Sequence, residues 1–237
     1  MKAVGLLLAA GSGRRLARSL PKALVELGGE PLVLHCMRSM AECGLLDSVV
    51  VVAPPDYLGW AGWSTLGGEL PVAAVVPGGE SRQQSVRSGL GALSADTTLV
   101  VCHDAARPFA GPELFARVIE AMKRSDRPHG AVPVIPSPDT VKRVRGGRVL
   151  ETLPRAELAL AQTPQAFLVS PLMEAHGAAA AQGVEATDDA MLLERAGYRV
   201  VAVEGEPSNL KITSPEDLDR AETWLRGRLS ARGTGGG

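Results

Sequence analysis

Cations and glycines gather near the start of the chain in an arrangement that could hold a polyphosphate. The run Gly11-Ser12-Gly13-Arg14-Arg15 follows an apolar stretch, Ala3-Val4-Gly5-Leu6-Leu7-Leu8-Ala9-Ala10, and Pro21-Lys22 comes soon after. Glycines let a backbone approach a ligand closely and leave amide N–H groups free for phosphate oxygens. Arg14, Arg15 and Lys22 add positive charge around that loop. The spacing is not that of a P-loop, because no Gly-Lys-Ser or Gly-Lys-Thr occurs in the chain. A dinucleotide fingerprint needs a third small residue at position 16, where Leu16 stands. The pattern therefore favours a nucleoside triphosphate over a hydride-transfer cofactor. Taken alone, the loop also reads as a tight strand-to-helix turn with solvated arginines.

Three later segments carry further chemistry. In Gly78-Gly79-Glu80-Ser81-Arg82-Gln83-Gln84-Ser85, Ser81 can cap a helix, and Arg82 and Ser85 then share one side of it. The glycine pair and a hydroxyl suit recognition of a base; an ordinary capped helix start is the plainer reading. In His103-Asp104-Ala105-Ala106-Arg107-Pro108, an acid closes an apolar run. Asp104 there could hold a divalent metal or a ribose hydroxyl, or pair with Arg107 to close the turn. His103 has no serine or cysteine nucleophile cluster around it and is given no catalytic role. The third segment is Ser208-Asn209-Leu210-Lys211-Ile212-Thr213. The chain has only five lysines against twenty arginines, so Lys22 and Lys211 at loop junctions stand out. A lysine is a compact charge suited to phosphate oxygens.

The elements that must position these residues alternate. Strands are expected at Ala3–Leu8, Ser48–Ala53, Val72–Val76, Thr98–His103, Gly130–Ile135 and Arg199–Glu204. Helices are expected at Pro31–Glu42, Ser81–Leu93, Pro112–Lys123, Pro171–Gln182, Asp188–Ala196 and Pro215–Leu229. Runs such as Val49-Val50-Val51-Val52 suit strands buried on both faces, hence mostly parallel. Strand–helix alternation implies a doubly wound α/β sheet whose ligands sit at the carboxyl ends of the strands. Residues 1–232 read as a single domain. The segment 136–165, rich in proline and carrying a strand–Gly146-Gly147–strand signal, reads as an inserted arm built on a β-hairpin. Residues 233–237 read as a disordered glycine tail.

Composition narrows the class. Of 237 residues, 45% are hydrophobic and 22% charged, and the formal net charge is −1, so nothing pulls the chain toward nucleic acid or anionic membranes. Aromatic residues are only 3%, too few for a base-stacking platform. No segment is long and apolar enough to span a bilayer. Cys36, Cys43 and Cys102 are an odd number without metal-type pairing, which suits free thiols in a reducing cytoplasm.

Taken together these segments resemble the 2-C-methyl-D-erythritol 4-phosphate cytidylyltransferases. The matching residues are Ala9-Ala10-Gly11-Ser12-Gly13-Arg14-Arg15 with Pro21-Lys22, Gly78-Gly79-x-x-Arg82-x-x-Ser85-Val86, and His103-Asp104-Ala105-Ala106-Arg107-Pro108. Thr163-Pro164-Gln165, Thr187-Asp188-Asp189 and Asn209-Leu210-Lys211-Ile212-Thr213 complete the set, so the likeness covers nearly the whole chain. Departures are Ser208, where members often carry Asp, and Ala23, where Gln frequently follows Pro-Lys.

The resemblance implies a Rossmann-like nucleotidyltransferase sheet, a projecting dimer arm, and transfer of CMP from CTP to methylerythritol phosphate with Mg2+. Ribitol 5-phosphate is the alternative acceptor. It implies catalytic roles for Arg15, Lys22 and Lys211. Ala9, Ala10, Gly11, Ser12, Gly13, Gly78, Arg82 and Ser85 are the expected nucleotide contacts. Asp104, Arg107, Thr163 and Thr187 are expected at the alcohol phosphate, with Asp104 also a metal ligand. Thr140 and Arg155 on the arm are expected to reach the substrate in the partner subunit of a homodimer.

Overall fold

The computed structural model describes all residues except 12, 14–19, 66–69 and 234–237, and gives the backbone alone at 64, 65 and 228–233. In chain order the strands are β1 (Ala3–Leu8), β2 (Glu26–Leu27), β3 (Glu30–Pro31), β4 (Ser48–Ala53), β5 (Val72–Pro77) and β6 (Leu99–Asp104). They continue with β7 (Gly130–Pro136), β8 (Lys142–Arg145), β9 (Arg148–Thr152), β10 (Ala159–Ala161), β11 (Gln165–Leu168) and β12 (Val200–Glu204). The helices are α1 (Leu32–Glu42), α2 (Gly62–Thr65), α3 (Arg82–Leu90), α4 (Pro112–Ala121), α5 (Val169–Ala181), α6 (Asp189–Arg195) and α7 (Pro215–Gly233). Helix α7 thus reaches Gly233, where the tail was expected to begin; 234–237 lie outside the described residues.

The central sheet is mixed and mostly parallel. Strands β5, β4, β1 and β6 lie side by side and parallel. On the far side of β6 comes β11, antiparallel, and then β7. Strand β7 takes β12 as a parallel neighbour along its length, while β10 pairs with its carboxyl-terminal half in antiparallel register. The connections from β1 to β4 and on to β5 move one way, and β6 returns to the other side of β1. The strand order therefore reverses between β1 and β6, and ligand crevices form at such a point, outside the carboxyl ends of the strands.

Each parallel strand sends alternate residues into two cores, as a doubly covered sheet requires. Leu7, Val49, Val51, Leu99 and Val101 pack beneath α1 and α4. Leu6, Val50, Val52, Val100 and Cys102 pack beneath α3, α5 and α6.

The expected arm is shorter than 136–165. Only β8 and β9 leave the sheet, as a hairpin whose ten or so residues are exposed and whose turn is Gly146–Gly147, both with positive φ. Residues 159–161 and 165–168 rejoin the main sheet as β10 and β11. The sequence signal for these strands is faint, because two short segments flank Gln162-Thr163-Pro164 and neither is long enough to show a period.

Candidate active site

A cavity of about 790 Å3 opens at the switch point between β1 and β6. Register sets its floor: Leu8 and Asp104 are direct neighbours at the ends of β1 and β6, and the Ala105 N–H donates to the Leu8 carbonyl at 3.1 Å. Strand β6 runs one residue further than Thr98–His103, so Asp104 is the last residue of a buried strand with its side chain only 11% exposed.

The glycine loop forms one wall. Ala9, Ala10, Gly11 and Gly13 line the cavity, and the Ala9 N–H donates to the Val52 carbonyl at 2.8 Å. Gly13 has φ +63°, and a Cβ there would sit 3.1 Å from the Lys22 backbone nitrogen, so the loop rests directly on Lys22. The Lys22 N–H donates to the Gly11 carbonyl at 3.3 Å, and Lys22 itself lines the cavity. Arg15 and Ser12 lie outside the described residues.

Helix α3 forms the opposite wall. Ser81 caps it, its hydroxyl accepting the Gln84 N–H at 3.1 Å. Arg82 and Ser85 both line the cavity, as their spacing on a helix requires. The Ser85 hydroxyl accepts the Gly79 N–H at 3.1 Å and donates to the Ser81 carbonyl at 2.9 Å, so it shapes the glycine turn. Gly78 stands just behind that wall, held by its N–H to the Ala53 carbonyl at 2.9 Å.

Asp104 is the electrostatic centre. Its Oδ1 accepts from Arg82 Nε at 3.0 Å, and its Oδ2 accepts from Lys211 Nζ at 2.7 Å. Burial works against the ionised carboxyl, but Arg82 and Lys211 more than offset it and hold the group well below the usual carboxylate range. Burial alone would also weaken the Arg82 charge; Asp189 and Asp104 reverse that and hold the guanidinium above its ordinary value. Arg82 is thus spent largely on two carboxylates, whereas Lys211 gives its one described bond to Asp104 alone.

Behind Asp104 a chain of neutral groups fixes its backbone. The Asp104 N–H donates to Thr163 Oγ1 at 3.1 Å, and Thr163 Oγ1 lies 3.1 Å from His103 Nδ1. His103 Nε2 lies 3.2 Å from the Arg107 carbonyl. A carbonyl only accepts, so the ring proton sits on Nε2, and Nδ1 accepts from the Thr163 hydroxyl. Burial lowers the His103 pKa to about 4, so the ring is neutral near pH 7. His103 is a packing and orienting group, with its ring against Phe115 at 5.0 Å.

Arg107 turns away from Asp104: its NH1 donates to the Asn209 carbonyl at 2.8 Å and its NH2 to the Ala161 carbonyl at 3.3 Å. The turn-closing Asp104–Arg107 pair is therefore not formed. Asn209, fully buried, in turn donates to the Thr163 carbonyl at 2.9 Å and so ties the Lys211 segment to the strand break.

Of the expected substrate residues only Asp104 lines this cavity; Arg107 and Thr163 pack behind it, and three others stand further apart. Thr187 precedes the Asp188 cap of α6, with its hydroxyl 3.9 Å from Met191 Sδ. Thr140 is exposed at the foot of the hairpin. Arg155 lines a second cavity beneath the arm with Pro136 and Pro138, and its NH1 donates to the Pro138 carbonyl at 3.4 Å. Sequence reasoning assigned no part to Asp189, His176, Gln162 or Asn209. Asp189 had a usable signal, because it shares a helix face with Leu192 and Leu193 and is buried with them.

The sequence model of the family described as IspD, 2-C-methyl-D-erythritol 4-phosphate cytidylyltransferase, matches residues 3–227. The chain belongs to that family. It is 41% identical over 239 residues to the 2-C-methyl-D-erythritol 4-phosphate cytidylyltransferase of Pelotomaculum thermopropionicum, covering 100% of this chain and 99% of that one. It is 44% identical over 230 residues to the bifunctional enzyme IspD/IspF of Anaeromyxobacter dehalogenans, covering 94% of this chain but only 57% of that longer protein. Among crystal structures, 4-diphosphocytidyl-2C-methyl-D-erythritol synthase from Anaerococcus prevotii superposes with a TM-score of 0.82 at 29% identity, over 95% of this chain and 98% of that one. Membership of the cytidylyltransferase family makes the chain a nucleotidyltransferase, and the Asp104-centred cavity is its candidate active site.

Proposed function

We propose that this cavity carries out the reaction for which the family is named: transfer of CMP from CTP to 2-C-methyl-D-erythritol 4-phosphate with release of pyrophosphate. The convergence of Lys22, Lys211, Ala9, Ala10, Gly11 and Gly13 on one cavity carries the reading. An oxygen of the alcohol phosphate attacks the CTP α-phosphorus in line. The new P–O bond forms as the bond from that phosphorus to the β-phosphate oxygen breaks. The attacking phosphate is largely dianionic near neutral pH, so no side chain has to remove a proton. Catalysis is then positioning and stabilisation of negative charge. Lys22 and Lys211 supply fixed cations to the α-phosphoryl oxygens and the leaving pyrophosphate. Arg15 is assigned to the triphosphate on the strength of the resemblance. Ser85 and the backbone of residues 9–11, 13 and 78–79 frame the nucleoside.

The described residues contain no cluster of three or more metal-ligating side chains. The carboxylate at the cavity floor, Asp104, already accepts from Arg82 and Lys211, so a Mg2+ ion would be held mainly by nucleotide phosphates, with Asp104 as a further ligand through its remaining lone pairs. Bound there, the ion would spread phosphate charge. The arm supports a homodimer. Val144 and Val149 face each other across the hairpin, each 56% exposed, and neither Thr140 nor Arg155 lines the chain's own cavity. In that reading Thr140 and Arg155 serve the neighbouring subunit's substrate. The three free cysteines suit a cytoplasmic setting, and no described helix is long and apolar enough to cross a membrane.

Pyrophosphate release with CTP and Mg2+, offering methylerythritol 4-phosphate or ribitol 5-phosphate, tests the proposal. Release with the first acceptor alone is expected. Release with ribitol 5-phosphate alone would replace the acceptor while keeping the mechanism, and release with neither would overturn the assignment.

A further inference from the structure

A line of buried charge runs from the back of the sheet to the cavity. His176, on α5, is 1% exposed, and its Nε2 lies 3.0 Å from Asp189 Oδ1. A carboxylate accepts, so the imidazole donates there. Asp189, also 1% exposed, accepts at Oδ2 from Arg82 NH1 at 2.8 Å. Arg82 passes the contact on through a different nitrogen, Nε, to Asp104, and Asp104 holds Lys211. Four contacts of 2.7 to 3.0 Å therefore join a buried histidine on α5 to an ammonium group at the cavity wall.

Burying two carboxylates and a guanidinium is costly unless every partner is in place. A purely structural site could be filled with apolar side chains at lower cost. We propose that Asp189 and His176 are positioning residues for the transferase reaction, anchoring Arg82 so that Asp104 presents Lys211 to the phosphates. The backbone of Asp104 is already fixed by Thr163, but its carboxylate is oriented by Arg82 and Lys211 alone among the contacts described. Lys211 is a long side chain, 40% exposed, and its station depends on that carboxylate. Without Asp189 the NH1 end of Arg82 is released, the guanidinium turns about Nε, and the Asp104 carboxylate turns with it. The ammonium group then leaves the place where charge develops in the transition state. Ground-state binding of the nucleotide, which rests on the glycine loop, Ser85 and the backbone of residues 78–79, is affected far less.

This inference rests on the reading given under Proposed function, and the test separates the two. Steady-state pyrophosphate release and calorimetric CTP binding are measured for the parent, Asp189→Asn, His176→Phe and His176→Gln. A parent that releases no pyrophosphate overturns the assigned reaction itself. With an active parent, Asp189→Asn and His176→Phe are expected to lose about tenfold to a hundredfold in kcat, as displaced catalytic groups do. KM and Kd for CTP are expected to stay within about threefold of the parent, because the loss is confined to the transition state. His176→Gln keeps a donor that can reach Asp189 and is expected to recover part of the rate that His176→Phe loses. Retention of parental kcat in both Asp189→Asn and His176→Phe would overturn the proposal. So would a loss that appears only in KM, or a Gln variant no better than the Phe variant. If Asp189→Asn does not fold, His176→Phe decides the matter by the same criteria. Failure of both to fold would overturn the positioning role in favour of a structural one.

Discussion

Replacing Asp104 with Asn tests the electrostatic centre through stability as well as rate. The carboxylate side chain is 11% exposed and accepts one charge-assisted bond from Arg82 and one from Lys211. Such bonds contribute about 1.5–3 kcal/mol each. Breaking a fully buried pair costs about 3–5 kcal/mol. Here the cost is lower for two reasons. Arg82 keeps Asp189, and the Lys211 ammonium, 40% exposed, rehydrates. The expected loss at pH 7 is about 2–3 kcal/mol, which for a chain of this size lowers Tm by roughly 5–10 °C.

The pH dependence gives a sharper check. The folded carboxyl is held well below its ordinary value by Arg82 and Lys211, against the effect of burial. Its stabilisation is therefore complete well above the unfolded pKa of about 3.9 and is lost as pH falls toward the folded value. Between pH 7 and pH 3 the unfolded carboxyl binds its proton while the folded one does not, which removes about 1.3 kcal/mol. Asn at this position has no such linkage, so the gap between parent and variant should shrink by that amount. Other carboxyls titrate alike in both proteins and cancel. Urea unfolding of both proteins at pH 7, 5 and 3 measures it. A gap that is constant with pH, or absent at pH 7, would show that Arg82 and Lys211 do not hold the carboxylate.

Lys22→Ala and Lys211→Ala should each lower kcat about 10²–10³-fold, as loss of one fixed transition-state donor does; pyrophosphate release under saturating CTP measures it. Chelation of divalent cations should stop release, and added Mg2+ should restore it. Gly78→Ala should weaken CTP binding in calorimetry, because its Cβ would lie 2.2 Å from the Ala10 Cβ, and overpacking of this kind costs about 1–3 kcal/mol. Deletion of residues 141–152 removes the exposed hairpin and should give a monomer in sedimentation with almost no activity; a fully active monomer would refute the arm's part in the site.

The sequence disclosed most where local physics acts alone. Strands β1 and β4 fall on the expected residues, since four to six consecutive apolar residues bounded by glycine or proline leave little alternative. Helix α1 starts at Leu32 with Pro31 just outside it, one residue from expectation. Lys22, Arg82, Ser85, Asp104 and Lys211, each picked out from a local motif, line one cavity. What stayed hidden depends on tertiary pairing. Strands β10 and β11 exist because the edge of β7 and the far side of β6 need partners, not because three or four residues prefer to be extended. The pairing of Arg82 with Asp189 spans 107 residues of sequence, and a double acid after Thr187 reads locally as no more than a helix cap. Asp188 does cap α6, its Oδ1 accepting the Met191 N–H at 3.0 Å, which masks the separate part of its neighbour.

Lys22 and Lys211 come from opposite ends of the chain, and the main sheet alone does not set their separation. A third, smaller core does. Val25, Leu27 and Leu32 from the segment after Lys22 pack with Phe109 from the loop after Asp104, and with Ile212, Leu218 and Ala221 from the segment after Lys211. Phe109 meets Trp224 of α7 edge to face at 4.3 Å, and Glu222 of the same helix accepts the Gly28 N–H at 2.8 Å. The Ile212 N–H donates to the Ala106 carbonyl at 2.9 Å, which seats the lysine segment on the Asp104 loop. Asp217 closes the turn into α7 by accepting the Thr213 and Ser214 N–H groups at 2.8 and 3.0 Å. A reaction driven by fixed cations is sensitive to distances and insensitive to proton relays. The two parts of the fold divide that requirement: the parallel sheet fixes the backbone loop and Asp104, and the α7 core fixes the two lysine segments against them.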